Sequence, residues 1–169
     1  MAKLIRNLRV ETDNWLLLKA GADGTPPAVP AEGDVIVPLS LWQLRKDALA
    51  ARSGKTAVWL ESKDSAEDVA ADLHRLPLVA IHFPSIADGR GYSIARLLRE
   101  RHGYKGEVRA IGAVFKDVLL GMQRCGFDTY ALRDGEDADE ALRAFDDLAD
   151  TYQANVVEPL PLFRRRAII

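Results

Sequence analysis

Short apolar runs alternate regularly with amphipathic segments throughout residues 34–153, and this alternation is the feature that most constrains the fold. The runs, such as residues 78–83, are brief and rich in β-branched residues, which is typical of buried strands. The segments between them repeat apolar residues every three or four positions, as residues 115–122 do, which is typical of helices. Five strand–helix units in succession therefore predict an α/β fold around a parallel sheet with right-handed crossovers.

Two arrangements of the sheet accommodate five such units, an open flavodoxin-like sheet and a partial β/α barrel. We favour the open sheet, because five units are too few to close an eight-stranded barrel. Upstream, residues 4–10 and 15–19 are predicted to form a β-hairpin with its turn at 12–14. The predicted organisation is one α/β domain over residues 1–155, with the hairpin (1–20), a Gly-, Pro- and Ala-rich linker (21–33) and the β/α core (34–153), followed by an extended tail (156–169).

The composition is that of an ordinary globular domain, with 48% hydrophobic and 28% charged residues in a chain of 169. A formal net charge of −2 gives no basis for binding nucleic acid or an anionic membrane. The chain has no apolar run of membrane-spanning length and no signal-peptide pattern, so we expect a cytoplasmic protein. One cysteine cannot supply the thiolates of an iron–sulfur cluster, and the three histidines lack zinc or haem spacing. We therefore expect neither a metal site nor a cofactor.

Candidate ligand-binding residues are expected at the carboxyl ends of the strands, where parallel sheets bind their ligands. The strand-end residues of this kind are Ser40, Glu61, Ser62, His82, Pro84, Gly112 and Arg133. The densest group follows the strand at 78–83 and consists of Asp88, Gly89, Arg90, Gly91, Tyr92 and Ser93, with Arg109 as a further cation. Glycines that admit a ligand, a helix N-terminus and a forked guanidinium would together suit a small oxyanion.

A purely structural interpretation of this segment stays open beside the anion site. Asp88 can form a turn, the glycines can fit a tight bend, and Arg90 can pair with a surface carboxylate. The segment matches neither GxxxxGK[ST] nor GxGxxG, so it implies no nucleotide.

A second group of residues is a candidate for contact with a partner. Arg96 and Arg99 are predicted to lie on a solvated basic helix face, opposite the apolar face of that helix. Asp117 and Arg124 lie on one stripe of a later helix and could face a ligand or a neighbouring subunit. His82 is either a general base or a strand-end histidine without chemistry. Cys125 fits a small buried residue better than a nucleophile, because no histidine is near it in sequence.

Three stretches carry a resemblance to a known family. They are Phe-Pro-Ser-Ile-Ala-Asp-Gly-Arg-Gly-Tyr-Ser at 83–93, Gly-Tyr-Lys-Gly-Glu-Val-Arg-Ala at 103–110 and Arg-Cys-Gly-Phe-Asp at 124–128. They resemble a bacterial family designated domain of unknown function nine-three-four. Its members are typically encoded beside the haemoprotein of assimilatory sulfite reductase and are often described as oxidoreductases in sulfite reduction. The family has no assigned mechanism, so the resemblance implies a pathway and assigns no catalytic residue.

The function expected from the resemblance is that of an accessory protein acting with sulfite reductase. The absence of metal and nucleotide motifs agrees with a chain that carries no redox centre of its own. One alternative is an oxyanion-binding enzyme of sulfur metabolism that uses Arg90, Ser93 and Arg109. Another is a homo-oligomeric interaction scaffold.

Overall fold

The computed structural model describes residues 3–21, 25–146 and 150–166. The strands of this part are β1 (Lys3–Arg6), β2 (Arg9–Thr12), β3 (Leu16–Leu17), β4 (Val35–Pro38), β5 (Thr56–Leu60), β6 (Leu78–Phe83), β7 (Glu107–Gly112) and β8 (Thr129–Tyr130). The α-helices are α1 (Leu39–Ala50), α2 (Glu67–Ala70), α3 (Arg90–Glu100), α4 (Leu119–Arg124), α5 (Ala138–Leu142) and α6 (Leu162–Arg166). Short 3₁₀ turns lie at Leu73–Arg75, Lys116–Val118 and Arg143–Asp146.

All eight strands belong to one curled sheet in the order β2-β1-β8-β7-β6-β5-β4-β3. Strands β3 to β8 are parallel, and β1 runs antiparallel to both β2 and β8. This confirms the predicted α/β fold with a mostly parallel sheet. The flavodoxin-like arrangement is not confirmed, because the parallel strands follow chain order without the reversal that defines a switch point. All crossovers between parallel strands have the same hand, and the strand order never reverses, so the helices lie on one face of the sheet. The sheet curls into a half-barrel.

The connection between β2 and β3 shows how far the sheet curls. These strands are the two edges of the sheet, yet only residues 13–15 join them. From Thr12 to Leu16 an extended chain covers at most about 14 Å. A flat sheet of eight strands would separate its edges by about 33 Å. The two edges must therefore curve towards each other, with the connection lying across the concave face.

The predicted N-terminal hairpin exists, but its turn and its second strand were wrong. The turn is at Asn7 and Leu8, which have φ angles of 47° and 60° between the paired residues Arg6 and Arg9. Positive φ at both central positions suits the twist of a two-residue hairpin. Leucine seldom adopts such a conformation, so no turn was predicted at this position. The strand predicted at 15–19 pairs with β4 instead, as β3.

The linker and the tail are both packed against the domain where the structure describes them. The Arg52 guanidinium donates hydrogen bonds to the carbonyl oxygens of Pro30, Glu32 and Gly33. The Val156 amide donates to the Arg124 carbonyl at 3.1 Å, which docks the tail on α4. Apolar residues at every third or fourth position over 137–152 predict one helix there. In the described residues the structure has only α5 and one 3₁₀ turn in this stretch, and residues 147–149 lie outside the described part.

The core has two parts because the sheet has two faces. The larger cluster lies between the sheet and the helices and includes Trp42, Leu60, Ile81 and Leu98. The smaller cluster covers the concave face and consists of Ile36, Ala57, Trp59, Leu78, Ala80 and Ile111, with Trp15, Leu17 and Ala131 packed against it. In the described residues no helix contributes to the smaller cluster, so strand ends on this face can reach solvent. None of the helices described is long and apolar enough to cross a membrane.

Candidate functional site

A pocket of about 170 Å³ opens at the carboxyl ends of β3, β5, β6 and β7, on the concave side of the sheet. We call it the rim pocket, and its lining residues are Leu17, Lys19, Ala20, Trp59, Glu61, His82 and Ile111. They are far apart in sequence and meet because parallel strands bring their carboxyl ends to one edge. Of these residues, Glu61 and His82 were predicted to lie at this edge.

His82 is the half-buried titratable group of the rim pocket. Its neighbours in β6, Ile81 and Phe83, face the helices, so alternation turns His82 to the concave side. Its ring contacts Trp59 edge-to-face, with centroids 5.7 Å apart. Burial lowers the pKa of His82, the Lys19 charge lowers it further, and Glu61 opposes both. A neutral imidazole can both donate and accept a hydrogen bond, and no described residue bonds to this one.

The charges around His82 are not equally available. The Glu61 carboxylate is held by Lys63, with Nζ and Oε2 2.8 Å apart. The Glu61 amide donates to Asp64 Oδ2 at 2.8 Å, which fixes the turn after β5. Lys19 is exposed and forms no ion pair with any residue that the structure describes. The uncompensated charge at the rim pocket is therefore the Lys19 ammonium.

Gly112 leaves space for the His82 ring. It ends β7 with a φ of 94°, a conformation that favours glycine. A Cβ at this position would lie 2.8 Å from Cδ2 and 3.0 Å from Nε2 of His82 and would collide with the Phe83 carbonyl oxygen. Any larger residue would have to displace the imidazole.

The predicted oxyanion segment is already occupied by its own carboxylate. Arg90 forms a forked pair with Asp88, with Nε–Oδ1 at 2.9 Å and Nη2–Oδ2 at 2.7 Å, and Nη2 also donates to Ser62 Oγ. Asp88 Oδ1 also accepts a bond from the Arg90 amide at the start of α3. Hydrogen bonds from Arg90 and Ser62 hold the pKa of Asp88 well below its usual range. These contacts favour the structural interpretation of the segment.

The other residues of this segment differ in what they contact. A Cβ on Gly91 would lie 2.6 Å from the Phe83 ring, whereas one on Gly89 would meet nothing within 4 Å. Tyr92 packs edge-to-face on Phe83 with centroids 5.2 Å apart, and Ser93 is exposed. Gly91 therefore permits close packing of α3 on β6, and only Gly89 is free of such a constraint.

Arg109 does not join the predicted anion site. Its side chain is 1% exposed, and it pairs with Asp13 at 3.0 Å and Glu107 at 2.7 Å. It has no partner in common with residues 88–93. A charge this deeply buried has to be paired, and Arg109 instead holds the connection that crosses the concave face.

The predicted partner-facing residues also separate into surface and interior positions. Arg99 lies inside, where its guanidinium donates to the carbonyls of Gly126, Tyr104 and Gly106 and pairs with Asp128 at 2.6 Å. The prediction of a solvated face was therefore wrong for Arg99. The other predicted residues reach the surface: Arg96 pairs with Glu100 there, Asp117 is exposed, and Arg124 is partly exposed.

Cys125 lies between two arginines on the surface formed by α3 and α4. Burial raises the pKa of its thiol, and the charges of Arg96 and Arg124 lower it. A thiol with a raised pKa is a poor nucleophile, which favours a structural role. The side chain is only partly buried, however, rather than buried as the sequence predicted. Among the residues that can be described, no group of three or more His, Cys, Asp and Glu is placed to hold a metal ion.

The rim-pocket residues that sequence reasoning missed include Lys19 and Trp59. Lys19 was overlooked because its strand was assigned to the hairpin rather than to the parallel sheet. Trp59 looked like one more apolar residue of a buried strand. Its indole N–H donates to the Leu18 carbonyl at 2.9 Å, which fixes both the ring and the end of β3.

A larger cavity of about 550 Å³ lies at the opposite end of the strands. Its cationic residues include Arg52 and Arg75, which are already bound to the 30–33 segment and to Asp47 respectively. The amino ends of parallel strands are seldom where chemistry is found in such folds. The rim pocket is therefore the better candidate despite its smaller volume.

These features define a class of α/β protein in which a half-barrel sheet presents a small pocket at the carboxyl ends of its strands. The family model described as bacterial protein of unknown function (DUF934) matches residues 57–163, and the chain belongs to this family. This confirms the resemblance found in the sequence. No curated protein and no solved structure matches the chain.

Proposed function

We propose that the protein is an accessory component of assimilatory sulfite reduction that acts together with sulfite reductase. Membership of the family supports this proposal, since the resemblance implies that its members are typically encoded beside the haemoprotein of sulfite reductase. The family match includes the 83–93 and 124–128 stretches that carry the resemblance. The proposal concerns the pathway and the partner, and it assigns no reaction.

The contacts of the described residues favour this accessory role over the oxyanion enzyme. That enzyme needs Arg90 and Arg109 to bind one anion, yet each guanidinium is paired with carboxylates of the chain itself. On the surface formed by α3 and α4, Arg124 makes no ion pair with the described residues. Its charge is therefore available to a carboxylate of the partner, and we include the surface residues Arg96 and Asp117 in the proposed contact.

Affinity capture of the tagged full chain from its native cells tests the proposal. We expect sulfite reductase in the eluate, and we expect deletion of the protein to slow growth on sulfite but not on cysteine. The Arg124→Glu variant should lose the partner while Lys55→Glu, a lysine at the opposite end of the strands, retains it. Elution without sulfite reductase, together with normal growth of the deletion strain, would overturn the proposal.

Self-association is a second proposal, favoured by apolar side chains on the surface. Tyr152, just before the tail, is 73% exposed, and Val157 and Phe163 in the tail are 61% and 62% exposed. Exposed apolar patches commonly mark contact surfaces. We expect light scattering to measure a molar mass of at least twice that of one chain. The Phe163→Ser variant should have a lower measured mass. A monomer at every concentration would refute self-association.

A further inference from the structure

We propose that the rim pocket is a binding site for a small organic monoanion, whose apolar body contacts Trp59 and Ile111 and whose anionic head meets Lys19 and His82. This inference goes beyond the accessory role and does not depend on it. It rests on the size of the pocket, on its walls and on the charges around it.

The size and the walls of the pocket determine the body of the ligand. The volume is about 170 Å³, and a protein cavity of about 150 Å³ with apolar walls is large enough for benzene. Trp59, Leu17 and Ile111 supply apolar walls here, and the Trp59 indole N–H is already satisfied by Leu18. The pocket therefore suits a body of about six carbon atoms that needs no hydrogen bond from the indole.

The charges determine the head group of the ligand. Among the described residues Lys19 has no ion-pair partner, while the Glu61 carboxylate is paired with Lys63 at 2.8 Å. His82 offers a hydrogen bond without a competing partner among the described residues. One available cation and one polar ring suit a single negative charge. An inorganic dianion would find too little positive charge and would leave the apolar walls uncovered.

The chemistry leaves open whether the head is a carboxylate or a sulfonate, and matched probes can distinguish the two. Benzoate and benzenesulfonate share a body and differ in the head group. Protonated benzylamine has the same body with the opposite charge, and sulfite is an anion without a body. Each would be titrated into the full chain while NMR follows the Trp59 indole N–H and the His82 ring.

We expect saturable shifts of both signals with benzoate or benzenesulfonate, and none with benzylamine or sulfite. The Lys19→Gln variant should weaken binding about tenfold, because a hydrogen bond to a charged group is lost. The matched variant Lys55→Gln changes another exposed lysine that forms no ion pair with the part of the chain that the structure describes, and it should bind as the wild type does. Binding should also raise the pKa of His82, since a nearby anion stabilises the imidazolium.

Three results would overturn the inference. Equal binding of benzylamine would mean that the pocket selects apolar bodies without regard to charge. Sulfite binding as tight as benzoate binding would mean that the body contributes nothing. The absence of saturable shifts with both aromatic anions would leave the pocket without the proposed ligand. None of these results bears on capture of sulfite reductase, so the two proposals fail separately.

Discussion

Both carboxylate oxygens of Asp13 lie 3.0 Å from Nη1 of Arg109, a residue 96 positions further along the chain. Arg109 stands in the middle of β7 on the concave face, and Asp13 opens the three-residue connection between the two edges of the sheet. The ion pair therefore ties this connection to the sheet that it crosses. Because the Arg109 side chain is only 1% exposed, loss of this ion pair would leave a buried charge poorly compensated and would destabilise the fold.

We predict that Asp13→Ala lowers the free energy of unfolding by about 3 kcal/mol, because it leaves a buried guanidinium with Glu107 as its remaining partner. Asp13→Asn should cost less, since the amide oxygen still accepts a hydrogen bond. Urea denaturation measures both values. The control is Asp47→Ala, which removes an 88% exposed partner of Arg75 and should cost less than about 1 kcal/mol. Equal losses at the two aspartates would contradict the role of the Arg109 pair.

The two glycines at the start of α3 should respond differently to alanine. A Cβ on Gly91 would lie 2.6 Å and 2.8 Å from two atoms of the Phe83 ring. We expect Gly91→Ala to destabilise the protein by about 1–2 kcal/mol, because overpacking outweighs the gain in helix propensity. Gly89→Ala meets no atom within 4 Å and should be neutral. Thermal unfolding of both variants is the measurement, and a neutral Gly91→Ala would mean that α3 can move away from β6.

Arg99 should be intolerant even of lysine. Its guanidinium bonds to three backbone carbonyls and to Asp128, a set that one ammonium cannot reach. We predict that Arg99→Lys lowers the free energy of unfolding by about 2 kcal/mol. Arg96→Lys, three residues earlier on the exposed face of α3, should leave stability nearly unchanged. Chemical denaturation compares the two, and similar stabilities would show that Arg99 is not needed to join α3 to β7 and β8.

The extent to which the fold could be predicted depended on local patterns. The strand at 78–83 and the mostly parallel sheet followed from apolar periodicity, which the chain shows plainly. Strand order was not legible, because periodicity shows which face a residue occupies and not which strand lies beside it. The turn at Asn7 and Leu8 was missed because leucine is an unusual residue there.

The candidate site was predictable only in part, for a similar reason. The rule that ligands bind at the carboxyl ends of strands placed Glu61 and His82 at the correct edge. The same rule drew attention to the 88–93 segment, where density of polar residues suggested a ligand site. Sequence cannot show that Arg90 and Asp88 satisfy each other, nor that Arg99 points inward. Lys19 required knowledge of the sheet order, because β3 reaches the pocket only as a neighbour of β4.

The pKa of His82 should respond in opposite directions to its two charged neighbours. Its pKa lies below the ordinary value of 6.5, because burial and the Lys19 charge oppose protonation while Glu61 favours it. Lys19→Gln should therefore raise the pKa, and Glu61→Gln should lower it. NMR titration of the ring protons in the full chain measures each value. Shifts of the same sign in both variants would mean that the rim pocket rearranges when either charge is removed.

The same pKa gives the stability of the protein a defined dependence on pH. The unfolded chain protonates His82 near 6.5, whereas the folded chain does so only at lower pH, so the unfolded state binds more protons in between. The stability contributed by neutral His82 is thus fully present above pH 6.5 and is lost as the pH falls through the folded-state pKa.

The His82→Gln variant has no titratable group at this position. We therefore expect the difference in unfolding free energy between the wild type and His82→Gln to change in favour of the variant as the pH falls from about 8 to about 5. Lys19→Gln should reduce this pH dependence, because the folded-state pKa moves closer to 6.5. Denaturation curves across this pH range measure the difference in unfolding free energy. A constant difference would show that folding leaves the pKa of His82 unchanged.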